Sequence, residues 1–130
     1  MSYKTDYEFG KSNEDNVYNQ IVKRWDDREI KKATQKYSPF DFYCDKYKYE
    51  LKSRKCNYST YPTTMISTEK LGNYKLYLLF SFTDGLYYIK YKKSLFKTFE
   101  SKPFQRKGRT DIKDIQYNFI YIPIEYLKKI

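Results

Sequence analysis

The stretch SPFDFYCDKYKYELKSRK, residues 38–55, decides how the rest of the chain is read. Pro39 stops any helix arriving from REIKKATQKY, and the residues after it alternate in character. Asp41 and Tyr43 fall on one side of a strand while Phe40, Phe42 and Cys44 take the other. On the next strand Lys48, Glu50, Lys52 and Arg54 share a face, leaving Tyr49 and Leu51 for the core. A two-residue turn at Asp45 and Lys46 sets Cys44 against Tyr47, Tyr43 against Lys48, Phe42 against Tyr49 and Asp41 against Glu50. Two carboxylates would then face each other with Cβ atoms about 5 Å apart, which is destabilising unless something positive lies between them. A divalent cation meets that need. Carboxylate and water oxygens suit Mg²⁺ or Mn²⁺, with the main-chain carbonyl of Leu51 as a further protein ligand. Lys52, about 6.6 Å further along the same face, would stand near a water or a phosphate.

Outward from this hairpin, Ser12 with Asp15 reads as a helix start, and Val17, Tyr18, Ile21, Val22 and Trp25 form one amphipathic stripe. Glu14 sits at the N-terminal end of that stripe, where a favourable charge at the helix dipole is the plain explanation. After the hairpin, NYSTYP reads as a loop and TTMISTEKLG as a short helix ending at Gly72. YKLYLLFSF and LYYIKY form a second hairpin about TDG, and SLFKTF reads as a further strand. SKPFQRKGRTD is a polar, basic loop, and IQYNFIYIPIEYLKKI supplies a last strand with a Pro-initiated turn or helix. The fold class expected is α+β or α/β: one domain over residues 1–130, running helix, strands, helix, strands.

Composition narrows the chemistry. The chain of 130 residues carries 26 Lys and Arg against 16 Asp and Glu, a formal charge of +10. Such a field attracts polyanions, nucleic acid first, although an AT-biased coding composition rich in Lys, Tyr, Asn and Ile produces the same excess. There is no histidine, which removes Ser/His and Cys/His triads and histidine–metal nucleases. Cys44 and Cys56 cannot make a four-ligand zinc site and are expected as reduced thiols. Neither a signal-peptide pattern nor a membrane-length apolar run is present, so a soluble, intracellular protein is expected.

Acid-x-Lys triplets also occur at Glu29, Glu100 and Asp111, so the triplet alone carries little weight. Only the copy at Glu50 has an apolar strand with a second acid opposite. There SPFDF followed by YELKSR resembles the PD-(D/E)XK nuclease superfamily. Phe40 separates the proline from Asp41, and the second half is Glu50-Leu51-Lys52. The resemblance spans residues 12 to about 92. It implies a restriction-endonuclease-like core, a central mixed β-sheet flanked by helices, and Mg²⁺-dependent hydrolysis of DNA phosphodiesters. Asp41 and Glu50 would hold the metal, Lys52 would act on water or phosphate, Glu14 on the first helix would join the site, and Lys70 would be the basic residue of the following helix. A homodimer is compatible with the resemblance, since small nuclease folds often pair to cut two strands. DGLYYIKY is similar to part of the GIY-YIG pattern, but the later arginine and glutamate of that pattern do not follow in SLFKTFE.

Arg54, Lys55, Lys70 and the cluster Arg106, Lys107 and Arg109 are the candidate phosphate contacts, and Tyr58 and Tyr61 offer rings for bases. No helix-turn-helix or zinc finger is present. Two other readings remain open: a catalytically inactive, basic nucleic-acid-binding protein of the same fold, and a structural or interaction protein whose acids are hairpin charges.

Overall fold

Helix α1 runs from Tyr3 to Arg24 in the computed structural model, which describes residues 3–34, 38, 40–72, 75–104 and 117–130. Its stripe is the one expected: Val17, Ile21 and Trp25 are buried and Tyr18 and Val22 pack at their margin. The start differs. Ser12 lies inside the helix, not at its cap, because extending a helix already anchored by packed turns needs no new nucleation. A 3₁₀ turn, Asp26–Arg28, ends on Glu29, whose φ of 51° lies in the left-handed region and redirects the chain.

The strands are β1 (Lys31–Lys32), β2 (Phe42–Tyr43), β3 (Lys48–Ser53), β4 (Thr63–Ser67), β5 (Leu76–Phe82), β6 (Gly85–Lys90), β7 (Glu100–Phe104), β8 (Tyr117–Pro123) and β9 (Lys128–Lys129). Both expected hairpins are present, β2–β3 about Asp45–Lys46 and β5–β6 about Thr83–Asp84. Three local expectations are corrected. Residues 63–67 form a strand instead of a helix: Thr64 and Ile66 are buried between half-buried neighbours, a period of two reinforced by β-branched side chains. Only Thr68–Lys70 coils, as one 3₁₀ turn. SLFKTF begins with the short helix α2 (Lys93–Phe96), not a strand, and this brings the Phe96 and Phe99 rings together, tilted by 51° with centroids at 5.3 Å. Finally, the beginning of the expected basic loop is β7, the outer strand of its sheet, where Pro103 is tolerated. A 3₁₀ turn, Ile124–Tyr126, follows Pro123 as anticipated.

Two sheets result, one of six strands in the order β1-β2-β3-β5-β6-β9 and one of three in the order β4-β8-β7. The first is mixed, since β3 and β5 are parallel and its other pairings antiparallel. Parallel neighbours need a long crossover, and here the chain crosses through β4 and the Thr68–Lys70 turn. The six-stranded sheet is a middle layer. Its Tyr49, Tyr77 and Leu79 pack under α1, while Leu76, Leu78, Phe80 and Phe82 pack against Ile66, Ile120 and Ile122 of the second sheet. Consecutive residues of β5 thus feed opposite cores, which accounts for its nearly unbroken apolar run. Among the described residues no helix is long and apolar enough to cross a membrane.

Candidate active site

The β2–β3 ladder has the register read from the sequence, Phe42 opposite Tyr49 and Tyr43 opposite Lys48, closed by the Cys44 N–H donating to the Tyr47 carbonyl at 2.9 Å. At Asp41 the chain bends out of the ladder. Its N–H still donates to the Tyr49 carbonyl at 2.9 Å, and its Oδ2 accepts from the Leu51 N–H at 2.7 Å. The Asp41 carboxylate is thereby fixed over the Glu50–Leu51 peptide. Lys48 and Arg54 turn their N–H groups toward β5, so the intervening odd residues present theirs to the β2 edge. N–H and carbonyl of one strand residue point the same way, so the Leu51 carbonyl faces the Asp41 side.

Glu50 is paired in register with Leu78, whose side chain belongs to the core between the two sheets. It therefore projects away from α1 and under the second sheet, and it is only 6% exposed. Two ammonium groups reach it there. Lys52 Nζ lies 3.4 Å from Glu50 Oε1 and Lys70 Nζ 3.9 Å from the same oxygen. Lys70 arrives from the 3₁₀ turn after β4, so the crossover that allows β3 and β5 to be parallel also delivers the second lysine.

Burial disfavours the charged form of both acids. It pushes the Asp41 carboxyl above its ordinary range despite the Leu51 N–H and the two lysines. It does the same to Glu50, and there the Asp41 charge adds to the push while Lys52 and Lys70 oppose it. The site sets a buried Glu50 beside a half-buried Asp41, like charges incompletely compensated by two lysines about a third exposed; two carboxylates and a main-chain carbonyl are the kind of oxygen donors a hard divalent cation takes.

Glu14 does not join. It is on α1, which covers the opposite face of the sheet, and among the described residues no three acidic or thiol groups gather. Its neighbour Asn13 instead ties α1 to the sheet, donating to Ser53 Oγ at 2.8 Å and accepting from the Ser81 hydroxyl at 3.2 Å. Arg54 continues the Glu50 and Lys52 face, but its Nε donates to Thr64 Oγ1 at 3.2 Å and a terminal nitrogen to the Met65 carbonyl at 2.6 Å, fastening β3 to β4. Lys55 is exposed. Arg106, Lys107 and Arg109 lie outside the described residues. Tyr58 packs, stacked on Tyr87 at 4.1 Å with its hydroxyl donated to the Ile124 carbonyl, whereas Tyr61 stays 62% exposed. The rival triplet at Glu100 is an exposed pairing with Lys102 at 3.5 Å. Cys44 and Cys56 are free thiols.

Sequence reasoning missed the Leu51–Asp41 hydrogen bond and the anchoring of Arg54. A bend off the ladder carries no residue signature, and the Thr64 and Met65 partners sit on a strand expected to be helix. No protein-family model, curated protein or solved structure matches the chain.

Proposed function

We propose that the protein is a Mg²⁺- or Mn²⁺-dependent endonuclease that hydrolyses DNA phosphodiester bonds at Asp41, Glu50 and Lys52. The observation that carries this reading is the half-compensated acid pair: two carboxylates held on one peptide, both made reluctant to ionise, with a lysine two residues on. Keeping like charges together under a sheet costs stability, and a bound cation reverses that cost. When bound, the metal supplies a lowered water pKa and a counter-charge for the phosphate. Asp41 and Glu50 would hold it, with the Leu51 carbonyl as a third protein oxygen. With Glu50 engaged by a cation, Lys52 and Lys70 would be available to a phosphate, and Lys52 would orient the nucleophile or offset developing negative charge. A helix followed by a hairpin bearing the acids, a crossover and a parallel strand is also in keeping with a PD-(D/E)XK core, although the crossover carries a strand and a 3₁₀ turn in place of a helix.

The deciding experiment incubates purified protein with linear, circular, branched and single-stranded DNA in Mg²⁺, Mn²⁺ or EDTA. Metal-dependent cleavage abolished by Asp41→Asn and by Lys52→Met is expected. Cleavage that survives either substitution refutes the site. Binding without cleavage in any metal favours the inactive nucleic-acid-binding alternative.

A further inference from the structure

The face of β3 that carries Glu50 and Lys52 ends at Arg54, and there the surface changes character. Arg54 forms part of the wall of a cleft of about 380 Å³, lined also by Tyr61, Met65, Phe82, Tyr121 and Ile124. That volume is within the range of small-ligand sites, roughly 300–1,000 Å³, and the lining is largely aromatic and aliphatic.

Two features of the cleft are unexplained by folding alone. Among the described residues Arg54 has no carboxylate within ion-pair distance. Its contacts are a hydroxyl, a carbonyl and the Phe80 ring at 5.6 Å, and burial depresses its pKa, as expected of a cation lacking a counter-charge. A guanidinium carries five N–H donors, so the Thr64 and Met65 bonds leave others for a ligand. The second feature is Tyr61 at the rim. It is the most exposed large apolar side chain among the described residues, and no ring there stacks on it. Tyr126, also exposed, has Phe99 as a partner at 5.1 Å.

We propose that this cleft binds a nucleotide unit with an unpaired base, the phosphate on the Arg54 guanidinium and the base against Tyr61 over the apolar wall. A cation without a counter-charge calls for an anion, and the adjoining aromatic surface calls for a flat apolar group; a nucleotide joins the two. A base stacked within a duplex has no free face to offer, so the cleft selects single-stranded or locally opened nucleic acid. The inference shares with the proposed function only its class of partner and needs no cleavage.

The test is fluorescence anisotropy in EDTA, with labelled oligothymidylate, a blunt duplex of equal length, and thymidine monophosphate as competitor. Tighter binding of the single strand is expected, weakened about tenfold by Tyr61→Ala with duplex binding unchanged. Arg54 also anchors β4, so the second probe is Met65→Trp, which fills the cleft while keeping the main-chain carbonyl that Arg54 uses, and it should cause a similar loss. Competition by the monophosphate identifies a site for free nucleotides; competition by oligonucleotide alone identifies one for a residue within a strand. Equal affinity for single strand and duplex overturns the proposal, as do Tyr61→Ala and Met65→Trp proteins that are folded and bind the single strand like the parent. Because binding is read in EDTA and cleavage needs metal, the cleavage reading and the nucleotide cleft fail separately.

Discussion

Replacing Glu50 with glutamine should make the metal-free protein more stable. At an effective dielectric of about 20, full charges at the 3.4 Å and 3.9 Å separations of Lys52 and Lys70 attract Glu50 by about 5 and about 4 kcal/mol. Solvent at the two ammonium groups, about a third exposed, screens much of that. Against it stand a desolvation cost of several kcal/mol for a carboxylate and the repulsion of Asp41. The balance is unfavourable to the charge, since the Glu50 carboxyl is pushed upward overall. Glu50→Gln keeps the shape and removes the unfavourable charge, so it should gain what a single stabilising substitution commonly gives, about 0.5–2 kcal/mol, or a few °C in Tm for a domain of this size. The pH dependence has a definite sign. A carboxyl whose folded pKa is raised binds more protons folded than unfolded, so stability falls as pH rises from the ordinary value of 4.5 through the folded value. Parent and variant should therefore melt together below that window and diverge above it, with the variant higher at pH 7. Saturating Mn²⁺ should invert the order, because a ligand at a hundred times its Kd stabilises by about 2.7 kcal/mol and only the parent binds it. Thermal melts in EDTA and in Mn²⁺ across pH test this. A variant less stable than the parent at pH 7 in EDTA would mean that the lysine pairs dominate, and the idea of a site strained until metal arrives would be wrong.

Three further outcomes are expected. Lys52→Met should lower kcat by about 10²–10⁴-fold, the usual contribution of a positioned proton-transfer group, while circular dichroism stays as in the parent; full activity excludes a chemical role. Mn²⁺ affinity, followed by calorimetry, should weaken as pH falls, beginning above the ordinary carboxylate values of 3.8 and 4.5 because both acids titrate high; a pH-independent affinity removes them as ligands. Leu79→Ala, at a fully buried position beneath α1, should destabilise by about 2–5 kcal/mol in urea melts, and a loss below about 1 kcal/mol would contradict the packing of α1 on the sheet.

Much of the site was legible because its parts are local. Asp41, the Asp45–Lys46 turn and Glu50 lie within ten residues, and alternation along a strand determines which side chains share a face, so the register follows from the turn length alone. The α1 stripe and the β5–β6 hairpin are readable for the same reason: period and turn residues act between near neighbours. The errors fall where tertiary partners outweigh local preference. Residues 63–67 are a strand because β8 offers five residues of register, and the helix that carries Glu14 lies across the sheet from Glu50 because α1 packs on Tyr49 and Tyr77. In sequence Glu50 is one of four charges, with Lys48, Lys52 and Arg54, on a single strand face. Only the parallel pairing of β3 with β5 places it level with Leu78 beneath the second sheet, where desolvation sets its titration and the crossover brings in Lys70. Turn length and alternation suffice to say which acids could meet; burial and the arrival of the second lysine depend on contacts between distant strands, and those exist only once the two sheets have closed on each other.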